Sequence, residues 1–263
     1  MNTRFLTLAM TSGLLFGQHV QASAPAPAPD QRAALITAIC TGNSSEVNSL
    51  ISNYPELCAV RVPIECDEDI SLLHYAAASS SATIVQILCE HDVALDECTA
   101  KGNTALGLAA IDPDKTQNAL ILIKAYTTKG ISVDLHNNPA PTPFIMAACT
   151  GNVRLAQALY EAGADATATD NDKDTALLCA VKKGDEHFVG WFLGLAEAAS
   201  VVHNINEQEF NALDYAVDKK HACIAGMLRE TGATHTGKYT KVVSDRAARR
   251  AMVADYPGEC PAQ

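Results

Sequence analysis

The sequence predicts an all-α fold, a solenoid of about six helix-turn-helix units with projecting β-hairpin loops. A segment from Thr142 to Asp165 is followed by a similar start at Thr175, 33 residues after Thr142. A fixed period of this length is typical of stacked repeats. Adjacent alanines recur near the start of several copies, and clusters of Asp, Asn and Gly, which favour turns, separate the copies.

The units are placed by their first residues, which share a polar or small side chain before an apolar stretch. These starts are Ala33, Ser71, Thr104, Thr142, Thr175 and Asn211. Leucines at helical spacing give each unit an apolar face that one unit cannot bury alone, so neighbouring units must stack. We therefore predict that the array occupies residues 33–234.

The segment from Thr142 to Asp165 resembles the ankyrin repeat in its Thr-Pro start, its Ala-Ala pair, its Gly-Asn turn and its Gly-Ala-Asp end. Ser71 to Ala76, with the sequence SLLHYA, is similar to the family's Thr-Pro-Leu-His-x-Ala start. This resemblance covers most of the chain. It implies that His74 forms hydrogen bonds within and between turns, and that hairpin tips and first helices form a concave surface that binds other proteins.

Three connections depart from the family pattern. The third unit, from Thr104 to Pro141, has 38 residues, and Ile111 to Lys115 replaces its usual glycine turn, so the region Asp112 to Gln117 departs from the pattern. The connections Pro55 to Ile70 and Lys129 to Pro141 are also long. Insertions in repeat proteins lie in loops on one face. Both sequence drift in these loops and a shaped contact surface remain open interpretations.

The N-terminal residues have the pattern of a secretory signal. In residues 1–22, Arg4 precedes an apolar stretch from Phe5 to Phe16, and Ala22 is the small residue before the predicted cleavage point. The apolar stretch is too short to span a bilayer. Residues 23–32 alternate Ala and Pro in their first part, which favours an extended linker. We expect export to the periplasm or the medium, without membrane insertion.

The C-terminal residues 235–263 lie outside the predicted array. Ser244 is a suitable N-cap for a short helix through Tyr256. This segment is either a capping helix for the last unit or a basic recognition helix.

The formal charge of −11 disfavours nucleic acid and favours a protein partner with a basic surface. Acidic side chains cluster at the predicted hairpin tips. We predict that they contact the partner, although such residues also form turns and increase solubility. The predicted contact residues are Asp67, Glu68, Asp69, Asp96, Glu97, Asp170, Asp172, Asp174 and Glu207.

Nine cysteines in an exported chain favour disulfide formation, with at least one thiol left over. Cys66 and Cys98 precede consecutive units, so a bridge between their hairpins is possible. Cys58 is an alternative partner, either for Cys66 or for a later cysteine. Three other cysteines lie at first-helix positions where small residues are common, and we expect them to be buried. These are Cys40, Cys149 and Cys179.

No catalytic, phosphate-binding or dinucleotide-binding motif occurs in the sequence, and no Cys or His pair has metal-ligand spacing. The sequence therefore predicts a binding protein, not an enzyme, with no cofactor and no metal site. A periplasmic accessory protein and a secreted effector that binds a host protein are the two versions of this function. An enzyme with an unrecognised site is the alternative from another class.

Overall fold

Five of the six predicted unit starts are N-caps of helices in the computed structural model, which describes residues 29–64, 68–91, 93–136 and 140–238. In each case the side-chain oxygen of the first residue accepts a hydrogen bond from the backbone N–H three residues later. These caps are Ser71, Thr104, Thr142, Thr175 and Asn211. Polar caps satisfy backbone donors that the first turn of a helix leaves unpaired, so they fix where each unit begins.

Six helix pairs form the array, which confirms the predicted all-α solenoid. The first helices are α1 (Pro29–Thr41), α3 (Leu72–Ser79), α5 (Ala105–Ile111), α7 (Pro143–Thr150), α9 (Ala176–Lys183) and α12 (Ala212–Asp218). The second helices are α2 (Ser44–Asn53), α4 (Ala82–Glu90), α6 (Thr116–Lys129), α8 (Val153–Glu161), α10 (Glu186–Leu193) and α13 (Ala222–Glu230). A further short helix, α11 (Ala198–Val201), lies between units five and six.

The helices pack in two layers. First helices contact first helices of adjacent units from α3 through α5, α7 and α9 to α12, and second helices pack likewise from α2 through α4 and α6 to α8. Alanine pairs lie between the first helices and are fully buried at Ala76, Ala77, Ala147 and Ala148. Because alanine has almost no side chain, neighbouring backbones approach closely, and the larger aliphatic residues fill the space between the layers.

A cluster of aromatic side chains lies between units four and five. Phe144 on α7 lies 6.3 Å from the ring of Phe188 and 6.3 Å from that of Trp191, both on α10. Phe144 and Phe188 are fully buried, and Trp191 is half-buried against them. These rings join the two units through contacts worth more than their buried area alone.

The long connections contain short regular elements. A 3₁₀ helix (Pro55–Ala59) precedes a hairpin of β1 (Arg61–Ile64) and β2 (Glu68–Ser71), in which Val62 pairs with Ile70. In the third unit, Asp112 caps a 3₁₀ helix (Pro113–Lys115) that leads directly into α6.

Helix α1 begins at Pro29, so residues 29–32 are helical and do not belong to the predicted linker. Proline is well accommodated in the first turn, where its missing N–H is not needed, and Asp30 there interacts favourably with the helix dipole. The predicted signal, the rest of the linker and the predicted capping helix lie outside the described residues. Among the described helices, none has both the length and the apolar character required to cross a bilayer.

Candidate functional site

One aspartate side chain holds the backbone of the hairpin tip before unit five through hydrogen bonds. Thr169 and Thr175 pair across the base of the tip. The Asp170 carboxylate accepts hydrogen bonds from the backbone N–H groups of Asp172 and Asp174, at 2.9 and 2.8 Å. Asp side chains favour turns because they bond to the backbone of the next few residues. The Asp170 side chain therefore faces its own backbone, while Asp172 at the tip is exposed.

The tip before unit six repeats this arrangement with an asparagine. Asn206 Oδ1 accepts hydrogen bonds from the N–H groups of Gln208 and Phe210, at 3.1 and 3.2 Å. The residue three positions after each organising side chain has positive φ, 58° at Lys173 and 65° at Glu209. Two consecutive tips thus have the same local backbone.

These two tips are bonded to each other. The Glu207 N–H donates to the Asp172 carbonyl at 2.9 Å, and Asn206 Nδ2 donates to Asp174 Oδ1 at 3.0 Å. The bonds bring the exposed carboxylates of Asp172 and Glu207 to the same edge of the array. We call the two tips, residues 170–174 and 206–209, the acidic edge.

Asp174 is not the exposed contact residue that the sequence predicted. It is only 6% exposed, and its second oxygen forms an ion pair with Lys182 on α9. Burial acts against the charged Lys182 ammonium and is the largest single effect, but the hydrogen bond to Asp174 and the nearby negative charges together outweigh it and raise the pKa of Lys182. The Lys182 ammonium also lies 4.7 Å from the centre of the Tyr215 ring. Asp174 therefore holds units five and six together.

The other predicted contact residues lie at the opposite end of the array. Asp96 is exposed, and the half-buried Glu97 forms an ion pair with Arg61 at 3.2 Å. Glu68 and Asp69 are in β2, and Asp67 lies outside the described residues. Because units three and four separate Asp96 and Glu97 from the acidic edge, the structure does not bring the described contact residues into one site.

Residues after the array close its last unit. The buried Asp214 carboxylate on α12 binds His235 Nδ1 at 2.8 Å and the backbone N–H of Thr236 at 3.3 Å. Asn211 Nδ2 donates to the Thr234 carbonyl at 2.7 Å. Lys238 then lies 3.6 Å from Glu209 at the acidic edge. These hydrogen bonds and the ion pair hold residues 234–238 beside unit six.

The cysteines of the first helices differ from the expectation that all three are buried. Cys179 on α9 is buried, but Cys149 at the end of α7 and Cys40 on α1 are exposed. Both exposed residues lie in the last turns of their helices, beyond the close contact between alanines. Cys66 lies outside the described residues, and Cys58 and Cys98 are both half-buried, so the predicted bridge remains a prediction.

Two cavities lie away from the acidic edge. One of about 330 Å³ is lined by Cys58, Arg61 and Glu97 with apolar neighbours, and one of about 280 Å³ lies between α4 and α6. Among the described residues that line them there is no histidine.

Sequence reasoning did not identify Lys182 and Asn206 as parts of this edge. Lys182 lies in a helix where lysines are ordinary, and Asn206 is one of several turn-forming residues in its loop. The one available signal is the offset of 36 residues between Asp170 and Asn206, which places two Asx side chains at equivalent positions of consecutive units.

Comparison with known families agrees with this architecture. A family model described as ankyrin repeats (3 copies) matches residues 35–137 and again residues 144–238. No curated protein matches the chain.

Proposed function

The chain belongs to the ankyrin-repeat family, and we propose that it binds a partner protein with a basic surface through its acidic edge. Ankyrin repeats generally mediate protein–protein interaction and are typically non-enzymatic. The single observation that supports the site is the bonded pair of tips, which holds the exposed carboxylates of Asp172 and Glu207 on one rigid edge.

Preorganisation is the physical reason for choosing this edge. Side chains that are already ordered lose less conformational entropy when a partner binds. The backbone bond between Asp172 and Glu207 and the side-chain bond between Asn206 and Asp174 fix the two tips before any contact is made. Opposite charge on the partner then increases the association rate and the specificity of binding.

The proposed location is the periplasm or the medium, and it depends on the signal pattern of residues 1–22. In the periplasm the protein would act as an accessory factor for another exported protein. In the medium it would act as an effector on a host protein. N-terminal sequencing of the protein from cell fractions tests the export, and a mature chain that begins at Ser23 is the expected result.

Charge reversal at the edge tests the binding proposal. Affinity capture with the mature chain first identifies the partner. The double variant Asp172→Lys/Glu207→Lys should then bind this partner roughly tenfold or more weakly, because the partner's basic surface would meet positive charge. The affinity of the wild-type protein should fall with added salt. The structure excludes Asp174 from this variant because the residue is buried and paired.

The matched control is Glu161→Lys with Glu230→Lys, which makes the same charge change on exposed positions at the ends of α8 and α13. Affinity capture with the mature chain, followed by titration calorimetry, provides the measurement. Equal weakening by both double variants would mean that only net charge matters, and an unchanged affinity in the edge variant would exclude this site.

A further inference from the structure

Beneath the acidic edge, units four and five bring together side chains that are typical metal ligands. A carboxylate oxygen of Asp170, one of Asp174 and the Cys179 sulfur all lie within 4.8 Å of one another. The Cys149 thiol, contributed by the preceding unit, interacts with the Cys179 thiol of this group. Two thiols and two carboxylates thus converge from two helices and one hairpin tip.

We propose that Cys149, Asp170, Asp174 and Cys179 form a binding site for a thiophilic divalent cation, for which Zn²⁺ is the probe. Zn²⁺ prefers four ligands in a tetrahedron and accepts both cysteine sulfur and carboxylate oxygen. Softer thiolate ligands select against Mg²⁺ and Ca²⁺, which bind oxygen. The proposal goes beyond protein binding, because neither Asp172 nor Glu207 is among the four ligands.

The supporting contacts hold the carboxylates in place. The two N–H groups of its own turn bond to Oδ1 of Asp170, so these bonds do not use its second oxygen. Asn206 Nδ2 donates to Asp174 Oδ1, which holds this carboxylate in place. In metal sites, such outer partners orient the ligands and tune their affinity. The exposed Cys149 provides the path by which an ion reaches the buried Cys179.

Charge also favours a cation at this position. The two carboxylates of Asp170 and Asp174 lie close together, and the ammonium of Lys182 pairs with Asp174 alone. A bound divalent ion compensates this negative charge. Lys182 already contacts the Tyr215 ring at 4.7 Å, so its ammonium retains a partner when the ion takes the carboxylate.

The thiols must lose their protons to bind the ion. Thiolate is the form of cysteine that binds metals. As the ion binds, two S–H bonds are replaced by two metal–sulfur bonds and both protons pass to solvent.

Metal titration of the full chain tests the proposal. The reduced, metal-free protein is titrated with Zn²⁺ in a calorimeter and with Co²⁺ in a spectrophotometer. We expect one ion per chain, a thiolate-to-Co²⁺ charge-transfer band and the intense visible bands of four-coordinate Co²⁺. Loss of an outer partner of a metal ligand already weakens binding about 10- to 100-fold, so Cys149→Ser and Asp170→Asn should weaken it by about 100-fold or more.

The matched controls are Cys40→Ser, at another exposed first-helix thiol, and Asp172→Asn, at a carboxylate two residues from Asp170. Both should bind Zn²⁺ as the wild type does. Alkylation of the wild-type protein with and without Zn²⁺ provides a test that needs no variant, because the ion should protect Cys149 and Cys179 from the reagent.

Three results would overturn the proposal. The first is a Co²⁺ titration of the wild-type protein that shows no thiolate bands. The second is the same bands in Cys149→Ser. The third is a disulfide-linked Cys149–Cys179 peptide in protein isolated without reductant.

Discussion

Units two and four each consist of two helices, but the first helix of the pair ends differently in the two units. In unit four the first helix α7 ends at Gly151, whose φ of 75° lets the chain turn into α8. In unit two the first helix α3 ends at Ser80, which has an extended backbone with φ −96° and ψ 177°. A residue in the left-handed region satisfies the last carbonyls of a helix, and unit two has no such residue there.

A neighbouring unit supplies what unit two lacks. Asn118 on α6 is 3% exposed, and its Nδ2 donates to the carbonyls of Ala77 and Ser80, both at 3.1 Å. The end of one helix is thus capped by a buried amide from the next unit. The comparison shows that a repeat can replace a local glycine turn by a tertiary hydrogen bond.

The two units also differ at the residue three positions after the N-cap of the first helix. Unit two has His74, which is 2% exposed and bonds to Ser71 Oγ through Nδ1 at 2.7 Å. Unit four has the fully buried Ile145 at the equivalent position. An ionisable side chain in the core makes a unit sensitive to pH, and an aliphatic side chain does not.

The largest effect should come from Asn118→Ala. The change leaves the carbonyls of Ala77 and Ser80 buried without a donor, and each unsatisfied buried group costs about 1–3 kcal/mol. We expect the free energy of unfolding to fall by about 3 kcal/mol in urea denaturation. Gln117→Ala, at the adjacent exposed position, is the control and should change it by no more than about 0.5 kcal/mol. A similarly small loss in Asn118→Ala would show that the buried amide does not replace the glycine.

Gly151→Ala should have a smaller effect, of about 1–2 kcal/mol, because alanine is strained at positive φ. Its Cβ would also lie 2.7 Å from Lys183 Nζ, so Lys183 must move away from the Thr150 carbonyl that it binds. Gly163→Ala separates these causes, since Gly163 has φ 93° and nothing within 4 Å of the added carbon. Thermal unfolding should rank Gly151→Ala as the less stable of the two, and the reverse order would exclude a role for Lys183.

His74→Asn should produce the smallest change, which is visible only as pH falls. Burial lowers the pKa of His74 below its usual 6.5, so the unfolded chain takes up a proton before the folded chain does. The contribution of His74 is therefore fully present above pH 6.5 and is lost as pH falls toward the lower folded pKa.

We expect the decline in unfolding free energy below pH 6.5 to be shallower in His74→Asn than in the wild type. Urea denaturation between pH 7.5 and pH 5 measures this slope. His187→Asn, at an exposed histidine of α10, should leave the slope unchanged. Identical slopes in all three proteins would mean that unit two is no more sensitive to pH than unit four.

Most of the fold follows from the sequence, because its signals are local. The five polar caps and the alanine pairs occur at a period that a single chain displays, and each cap bonds to a backbone only three residues away. The tips were predicted as turns for the same reason. Which carboxylates face solvent was not predictable, because the burial of Asp174 depends on Lys182 and Asn206 from other elements.

The sequence by itself determined the repeat, the unit boundaries and the acidic character of the chain, since these depend on residue type and spacing. The tertiary structure alone decided which groups meet across units. Asn118 caps a helix 38 residues before it in the chain, and the thiols of Cys149 and Cys179 come together from consecutive units. Stacking brings such residues into contact, and no local pattern encodes which side chains then lie opposite each other.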